Sequence, residues 1–314
     1  MTTRVYYGEE LARYGFGEHH PFGPDRLAAF WNEASSQDLV RQVTIGRPVQ
    51  AQKSQLEMFH TTDYVKKLER LSALGVGTLD AGDTPVFPGI YEAACFVAGS
   101  VIDGANRIMS GDTRRVFVPI AGLHHARRDT AAGFCAVNDI GIVIEHLRQT
   151  HGVKRIAYVD IDAHHGDGVF YEFEDDPEVY VADIHEDGRH LYPGTGFAEE
   201  SGTGDAVGTK INLPLTPPDT RDKDFYPAWH RIEEFLAAHK PEFIILQAGA
   251  DSIAGDPITH MQLTSAAHAH AARQLCKIAD SCCDGKLLAT GGGGYNRSNL
   301  AIGWSAVVAE LIKD

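Results

Sequence analysis

The segment Asp160-Ile161-Asp162-Ala163-His164-His165-Gly166-Asp167-Gly168 packs three carboxylates and two imidazoles into nine residues. In an extended chain, residues i, i+2 and i+4 point the same way, so Asp160, Asp162 and His164 line one side. A carboxylate and an imidazole two residues apart can both reach one divalent ion. Taken alone, such a pair also arises by chance in a chain with 16 histidines, or serves as a hydrogen-bonded turn at a strand end. A further carboxylate, Asp251, stands just past the apolar run FIILQAG. If the two strands are neighbours, Asp162, His164 and Asp251 form one set. Three protein ligands with a fourth position left open is the arrangement of a catalytic rather than a structural zinc site. Asp251 is equally placed to cap a helix, and Asp256 before Pro257 reads as a turn residue.

Two more segments could serve the same centre. The adjacent His124 and His125 cannot face one way on a strand, but they can on a loop. Histidine gives and takes protons near neutral pH, as a water nucleophile and a leaving amine both require. Asp160 and Asp167 could orient these rings from behind. In Gly291-Gly292-Gly293-Gly294-Tyr295-Asn296, the glycines let backbone approach a ligand closely, and Tyr295 could donate to a developing oxyanion. Read alone, this run is as easily a phosphate loop, although no GK[ST] follows it and no early GxGxxG precedes it.

The elements that must position these groups alternate along the chain. Short apolar runs at Arg4–Tyr7, Arg115–Pro119, Arg155–Asp160, Val179–Asp183, Lys210–Leu213, Phe243–Ala248 and Lys286–Thr290 are predicted strands. Helices are predicted at Asp25–Ala34, Thr62–Leu74, Gly89–Ser110, Asp139–Thr150, Arg221–His239, Thr264–Cys283 and Ser298–Lys313. Continuous apolar runs such as FIILQA belong to parallel strands covered on both faces. The pattern predicts a three-layer α/β domain. Ligands in such sheets bind beyond the carboxyl ends of the strands, and four strands run into the four segments above.

Composition sets outer bounds. The 314 residues, 43% of them hydrophobic, bury a large core, and residues 1–314 read as a single domain. A net charge of −15 opposes non-specific nucleic-acid binding and suits cationic substrates or plain solubility. No run reaches the ~18 apolar residues of a membrane span, and no secretory leader is visible, which predicts a cytoplasmic protein. Five cysteines, Cys95, Cys135, Cys276, Cys282 and Cys283, are expected as reduced thiols, the last two as small buried hydrophobes.

Seven ordered motifs resemble the zinc-dependent histone deacetylase superfamily, within it the bacterial acetoin-utilisation (AcuC-like) type and class I deacetylases. They are HPFGPDR (20–26), DTPVFPGIYEAA (83–94), GLHHARRDTAAGFCAVND (122–139), YVDIDAHHGDGVF (158–170), YPGTG (192–196), QAGADSIAGDP (247–257) and GGGGYN (291–296). The resemblance implies the arginase–deacetylase fold, a mainly parallel eight-stranded sheet between helices. It implies one Zn2+ per chain, with Fe2+ as the alternative, held by Asp162, His164 and Asp251. It makes His124 and His125 the tandem proton-transfer pair, Asp160 and Asp167 their partners, and Tyr295 the carbonyl-polarising phenol. Gly133, Phe134, Tyr192 and Gly293 would line the acyl-lysine channel, Asp83 its rim, and Arg26 and Cys135 an internal cavity. A structural K+ or Na+ would sit at Asp160, Asp162, His164, Asp183 and Ile184. Two departures stand out. Tyr192 occupies a position usually phenylalanine in class I enzymes, and Asp183 one usually serine.

The implied activity is hydrolysis of the acyl group from acetylated lysine in proteins or peptides. An acetylpolyamine amidohydrolase would share every catalytic residue and differ at the rim. A binuclear manganese ureohydrolase would need further aspartates beside Asp251, where Gly249 and Ala250 stand. A non-catalytic acetyl-amine binder would not need His124, His125 and Tyr295.

Overall fold

The computed structural model describes residues 2–17 and 19–313. Eight strands form one sheet: β1 (Arg4–Tyr6), β2 (Thr44–Gly46), β3 (Arg115–Val118), β4 (Ile156–Asp160), β5 (Val179–Glu186), β6 (Lys210–Leu215), β7 (Phe243–Gln247) and β8 (Leu287–Thr290). Their order is β2-β1-β3-β8-β7-β4-β5-β6. Every pairing is parallel. β3, β4, β7 and β8 are buried throughout, as the unbroken apolar runs require of strands covered on both faces.

The helices are α1 (Glu9–Ala12), α2 (Arg26–Ser36), α3 (Lys53–Leu56), α4 (Thr62–Leu74), α5 (Ile90–Met109), α6 (Asp139–His151), α7 (Asp167–Phe170), α8 (Asp222–His239), α9 (Ser265–Cys282) and α10 (Arg297–Leu311). One layer runs α2, α10, α9, α8 and the other holds α4, α5 and α6, so apolar helix stripes cover both faces of the sheet. None of the described helices is long and apolar enough to cross a membrane.

All seven expected strands and all seven expected helices are present. The edge strand β2 went unread because it is three residues long and its one large apolar residue, Ile45, is 47% exposed. The four-residue helices α1, α3 and α7 are too short to show a helical period. All five cysteines are free thiols; Cys283 is buried as expected, whereas Cys282 is only half-buried.

Two features of the sheet position the site. Because all strands are parallel, their carboxyl ends share one edge. Because β3, β8, β7 and β4 are successive neighbours, the loops after them are adjacent. β4 and β7 pair with Asp160 opposite Gln247, which brings the segments carrying Asp162 and Asp251 side by side.

Candidate active site

Asp162, His164 and Asp251 are buried, and one ligand atom from each lies within 4.8 Å of the others. His164 Nδ1 is 3.1 Å from Asp162 Oδ1 and 3.1 Å from Asp251 Oδ2. The remaining carboxylate oxygens are fixed from behind. Asp162 Oδ2 accepts from Gln247 Nε2 (2.7 Å) and from the Gly293 amide (2.8 Å). Asp251 Oδ1 accepts from the Ala163 amide (2.8 Å). Asp251 therefore bonds back to the β4 loop and caps no helix; α9 begins only at Ser265. Burial first, and then the neighbouring Asp162, push its carboxyl up to about 7. Two carboxylates and an imidazole, dry and crowded, fit a divalent cation.

The tandem histidines follow β3 on a loop that Asp139 pins, its carboxylate accepting from the amides of Gly122 (2.9 Å) and Leu123 (2.7 Å). His124 Nδ1 meets Asp160 Oδ2 at 2.8 Å, and His125 Nδ1 meets Asp167 Oδ1 at 2.7 Å. Tyr158 also donates to Asp160, and Arg127 Nη2 donates to Asp167 Oδ2 at 3.1 Å. The two Nε2 atoms lie 3.1 Å apart. Burial opposes charge on both rings. For His124 the carboxylates of Asp160 and Asp162 outweigh it and hold the ring up at about 9. For His125 burial is joined by the positive His124, which brings it down to about 4 against the pull of Asp167. The two rings are thus pushed in opposite directions, His124 towards the charged form and His125 towards the neutral one.

Gly291–Asn296 leave β8 beneath these groups. The amides of Gly291, Gly292 and Gly293 are taken by Val118, Ala121 and Asp162. The run is thus no phosphate cradle; these three donors are spent on protein, and carboxylates lie against it. Gly293 sits beside the ligand carboxylates. Tyr295 is fixed at its backbone, where its amide donates to Asp256 Oδ2 (2.8 Å), and Asn296 caps α10. Burial, followed by Asp251 and Asp162, raises its phenol well above the ordinary value, so it remains a donor.

A pocket of about 250 Å³ leads to His125, His164 and Tyr295 between Gly133, Phe134 and Tyr192, with Asp83 at its mouth. The Tyr192 ring stands edge-on to His125 at 5.1 Å between centroids and is 44% exposed. Phe134 stands edge-on to Tyr295 at 5.8 Å. Gly133 has no room for a side chain: a Cβ would lie 2.5 Å from His125 Cδ2.

Arg26 is buried at the start of α2. Its Nε donates to Gly294 O (2.9 Å), its Nη2 to Gly292 O (2.6 Å), and its Nη1 has no protein partner. Cys135 is buried after the channel wall, its Sγ 3.4 Å from Gly133 O. Asp183 lies opposite Asp160 in the sheet, followed by the buried Ile184. Its two oxygens already have partners, the Gly166 amide (2.9 Å) and His185 Nδ1 (2.7 Å). His185 is held above its ordinary value because Asp183 outweighs the burial, so this carboxylate has a protein cation beside it.

Three supporting residues escaped the sequence reading. Gln247 is the one polar residue in FIILQ, which was a signal that its side chain reaches something buried. Asp256 accepts from Ile258, Tyr295 and Asn296 amides rather than only shaping a turn. Asp139 looked like the first residue of a helix, and nothing local marked its reach to the Gly122 loop.

The family model for the histone deacetylase domain matches residues 20–311. This chain belongs to the histone deacetylase family. It is similar to the acetoin utilization protein AcuC of Bacillus subtilis, 35% identical over 308 residues covering 94% of this chain and 78% of that one. It is similar to a probable deacetylase of Archaeoglobus fulgidus, 34% identical over 300 residues covering 94% and 82%. It also resembles histone deacetylase clr6 of Schizosaccharomyces pombe, 31% identical over 310 residues covering 96% and 74%. The crystal structure of the HDA15 HD domain superposes with a TM-score of 0.91 at 28% identity, covering 99% of this chain and 89% of that one. This AcuC-like member of the family has the arginase–deacetylase fold and the activity of a metal-dependent deacetylase.

Proposed function

We propose that this family member is a zinc-dependent lysine deacetylase, acting as a single domain on acetylated protein or peptide lysine. The observation that carries the reading is the convergence of three buried ligands, two His–Asp dyads and one phenol at the end of a narrow, mostly apolar pocket. A linear acylated amine fits such a slot; a bulky substrate does not.

A zinc ion held by Asp162, His164 and Asp251 would act as a Lewis acid on the acyl carbonyl and acidify a water. The protein groups do the rest. His125 is neutral and takes the proton of the attacking water at Nε2, while Asp167 keeps its Nδ1–H oriented. Asp160 holds the charged His124 next to it. Tyr295 donates its phenolic hydrogen to the carbonyl oxygen as negative charge grows there. His125, or His124, returns a proton to the departing amine nitrogen, and acetate and a free amine leave. Phe134 and Tyr192 keep bulk water from the methylene chain, and Asp83 at the mouth is placed to hold the substrate backbone. Fe2+ would suit the same ligands. We assign K+ or Na+ to the carbonyls of Asp160, Asp162 and His164 near Asp183 and Ile184. No nucleic acid or membrane is part of this reading, and a cytoplasmic location agrees with it.

The net charge of −15 favours a second reading, in which small acetylated polyamines are the substrate. Zinc- or iron-reconstituted enzyme is assayed on an acetyl-lysine peptide and on acetylputrescine. Faster turnover of the peptide is expected. Preference for acetylputrescine would transfer the assignment, and full activity after removal of all metal would end both.

A further inference from the structure

Phe134, a wall of the pocket, sits in a conformation that a side chain disfavours. Residues 132–135 form a tight turn in which the Cys135 amide donates to Ala132 O (2.9 Å) and the Ala132 amide to Cys135 O (3.3 Å). Both central residues have positive φ, 51° at Gly133 and 69° at Phe134. Two-residue turns of this hand usually carry glycine at the second central position. A phenylalanine persists there only if its surroundings over-determine it.

The surroundings do so at both backbone polar atoms. The Phe134 carbonyl accepts from Tyr14 Oη (2.7 Å), which itself accepts from the Ala136 amide (2.7 Å). The Phe134 amide donates to Thr84 Oγ1 (3.0 Å). Thr84 is fully buried, and its hydroxyl donates onward to Asp80 Oδ2 (2.6 Å). Asp80 Oδ1 accepts from the amides of Gly82 (3.0 Å), Asp83 (2.9 Å) and Thr84 (2.9 Å). One hydroxyl thus ties the wall residue to the turn that presents Asp83 at the mouth.

We propose that Thr84 is a specificity-determining positioning residue, which locks the pocket wall to the rim so that the acylated side chain is measured against a fixed register. This rests on the reading of the pocket as an acyl-lysine channel. The ligand it selects is an acylated amine on a lysine-length methylene chain attached to a peptide backbone. The expected consequence is that a chain shorter by a methylene reacts more slowly while its backbone is held at the rim.

The test compares wild type, Thr84→Val and Thr84→Ser. Valine keeps the shape and strands both the Asp80 oxygen and the Phe134 amide; serine keeps the hydroxyl. Peptides carrying acetyl-lysine or acetyl-ornithine are assayed, and hydrogen exchange is followed at residues 132–136. Wild type should prefer lysine by about tenfold or more. In Thr84→Val the Phe134 amide should exchange faster, KM for acetyl-lysine should rise about tenfold with kcat nearly kept, and the lysine preference should shrink. Thr84→Ser should match wild type throughout. Wild-type exchange and selectivity in the valine variant, or a serine variant as impaired as the valine one, would overturn the inference. If wild type hydrolyses neither peptide, the lysine reading fails, while a Phe134 amide still protected in Thr84→Val overturns the lock independently.

Discussion

Gly293→Ala should weaken the metal site without unfolding the protein. Gly293 has no positive φ, so its backbone suits alanine; what it lacks is room. A Cβ there would lie 2.2 Å from Asp251 Oδ2 and 2.8 Å from Asp162 Oδ2, and contacts below 3.0 Å are essentially never tolerated. The Asp251 oxygen must therefore retreat by about 0.8 Å, beyond the roughly 0.5 Å within which a functional constellation works. Asp251 cannot swing freely, because its other oxygen is bonded to the Ala163 amide. Disturbing the support of a metal ligand typically lowers affinity about 10- to 100-fold. The measurement is a zinc titration against a competing chelator, with metal content after dialysis and activity on an acetyl-lysine peptide read alongside. A thermal melt checks the fold. Gly17→Ala, with nothing within 4 Å of the added carbon, is the control. Wild-type zinc affinity and activity in Gly293→Ala would refute the claim that this glycine exists to admit the ligand carboxylates.

Other outcomes follow from the same geometry. Tyr295→Phe should lower kcat by about 100-fold or more, as loss of an oxyanion donor does; unchanged turnover would remove Tyr295 from the reaction. Asp256→Asn should lower kcat about tenfold because the Tyr295 amide loses a charged acceptor, and in the Tyr295→Phe background the effect should vanish. Additive losses in that double-mutant cycle would mean Asp256 acts elsewhere. The buried His60 accepts from the Asn138 amide at 2.9 Å, and burial brings its ring down to about 4 from 6.5. The unfolded chain therefore binds this proton first, so stability is lost as pH falls from about 6.5 towards 4. The loss reaches about 3 kcal/mol, from roughly 1.36 kcal/mol per unit. Urea midpoints across that range should show a steep slope that His60→Gln flattens by up to one proton; identical slopes would contradict it.

The framework was open to sequence reading because its signals are periodic and long. β4 and β7 are unbroken apolar runs, and a helix such as α5 spans 20 residues. The ligand triad was legible for a different reason: each member stands just past such a run, and one strand adjacency, β4 with β7, joins them. What stayed hidden depends on contacts between loops distant in sequence. Asp139 reaches back 17 residues to the Gly122 amide, and Asp256 holds Tyr295 from 39 residues away. No local pattern encodes such a bond, since Asp before Pro and Asp at a helix start have adequate local explanations. His185 is similar. Its pairing with Asp183 follows from two residues facing the same way on β5, but only burial turns that proximity into a charge pair.

Charge explains why these supports must be so numerous. Asp160, Asp162, Asp167, Asp183 and Asp251 are all buried around the centre. Isolated, each would be costly to ionise there. Four have a cationic or potentially cationic protein neighbour: His124 for Asp160, Arg127 for Asp167, His185 for Asp183 and His164 for Asp162. Asp251 has only the same His164, and burial, followed by the neighbouring Asp162, raises its carboxyl to about 7. With Asp162 and Asp251 converging on one imidazole whose Nδ1 is held up at about 10, the site is short of positive charge. A divalent cation bound there would supply it and displace that proton, so adding metal should release protons and add stability.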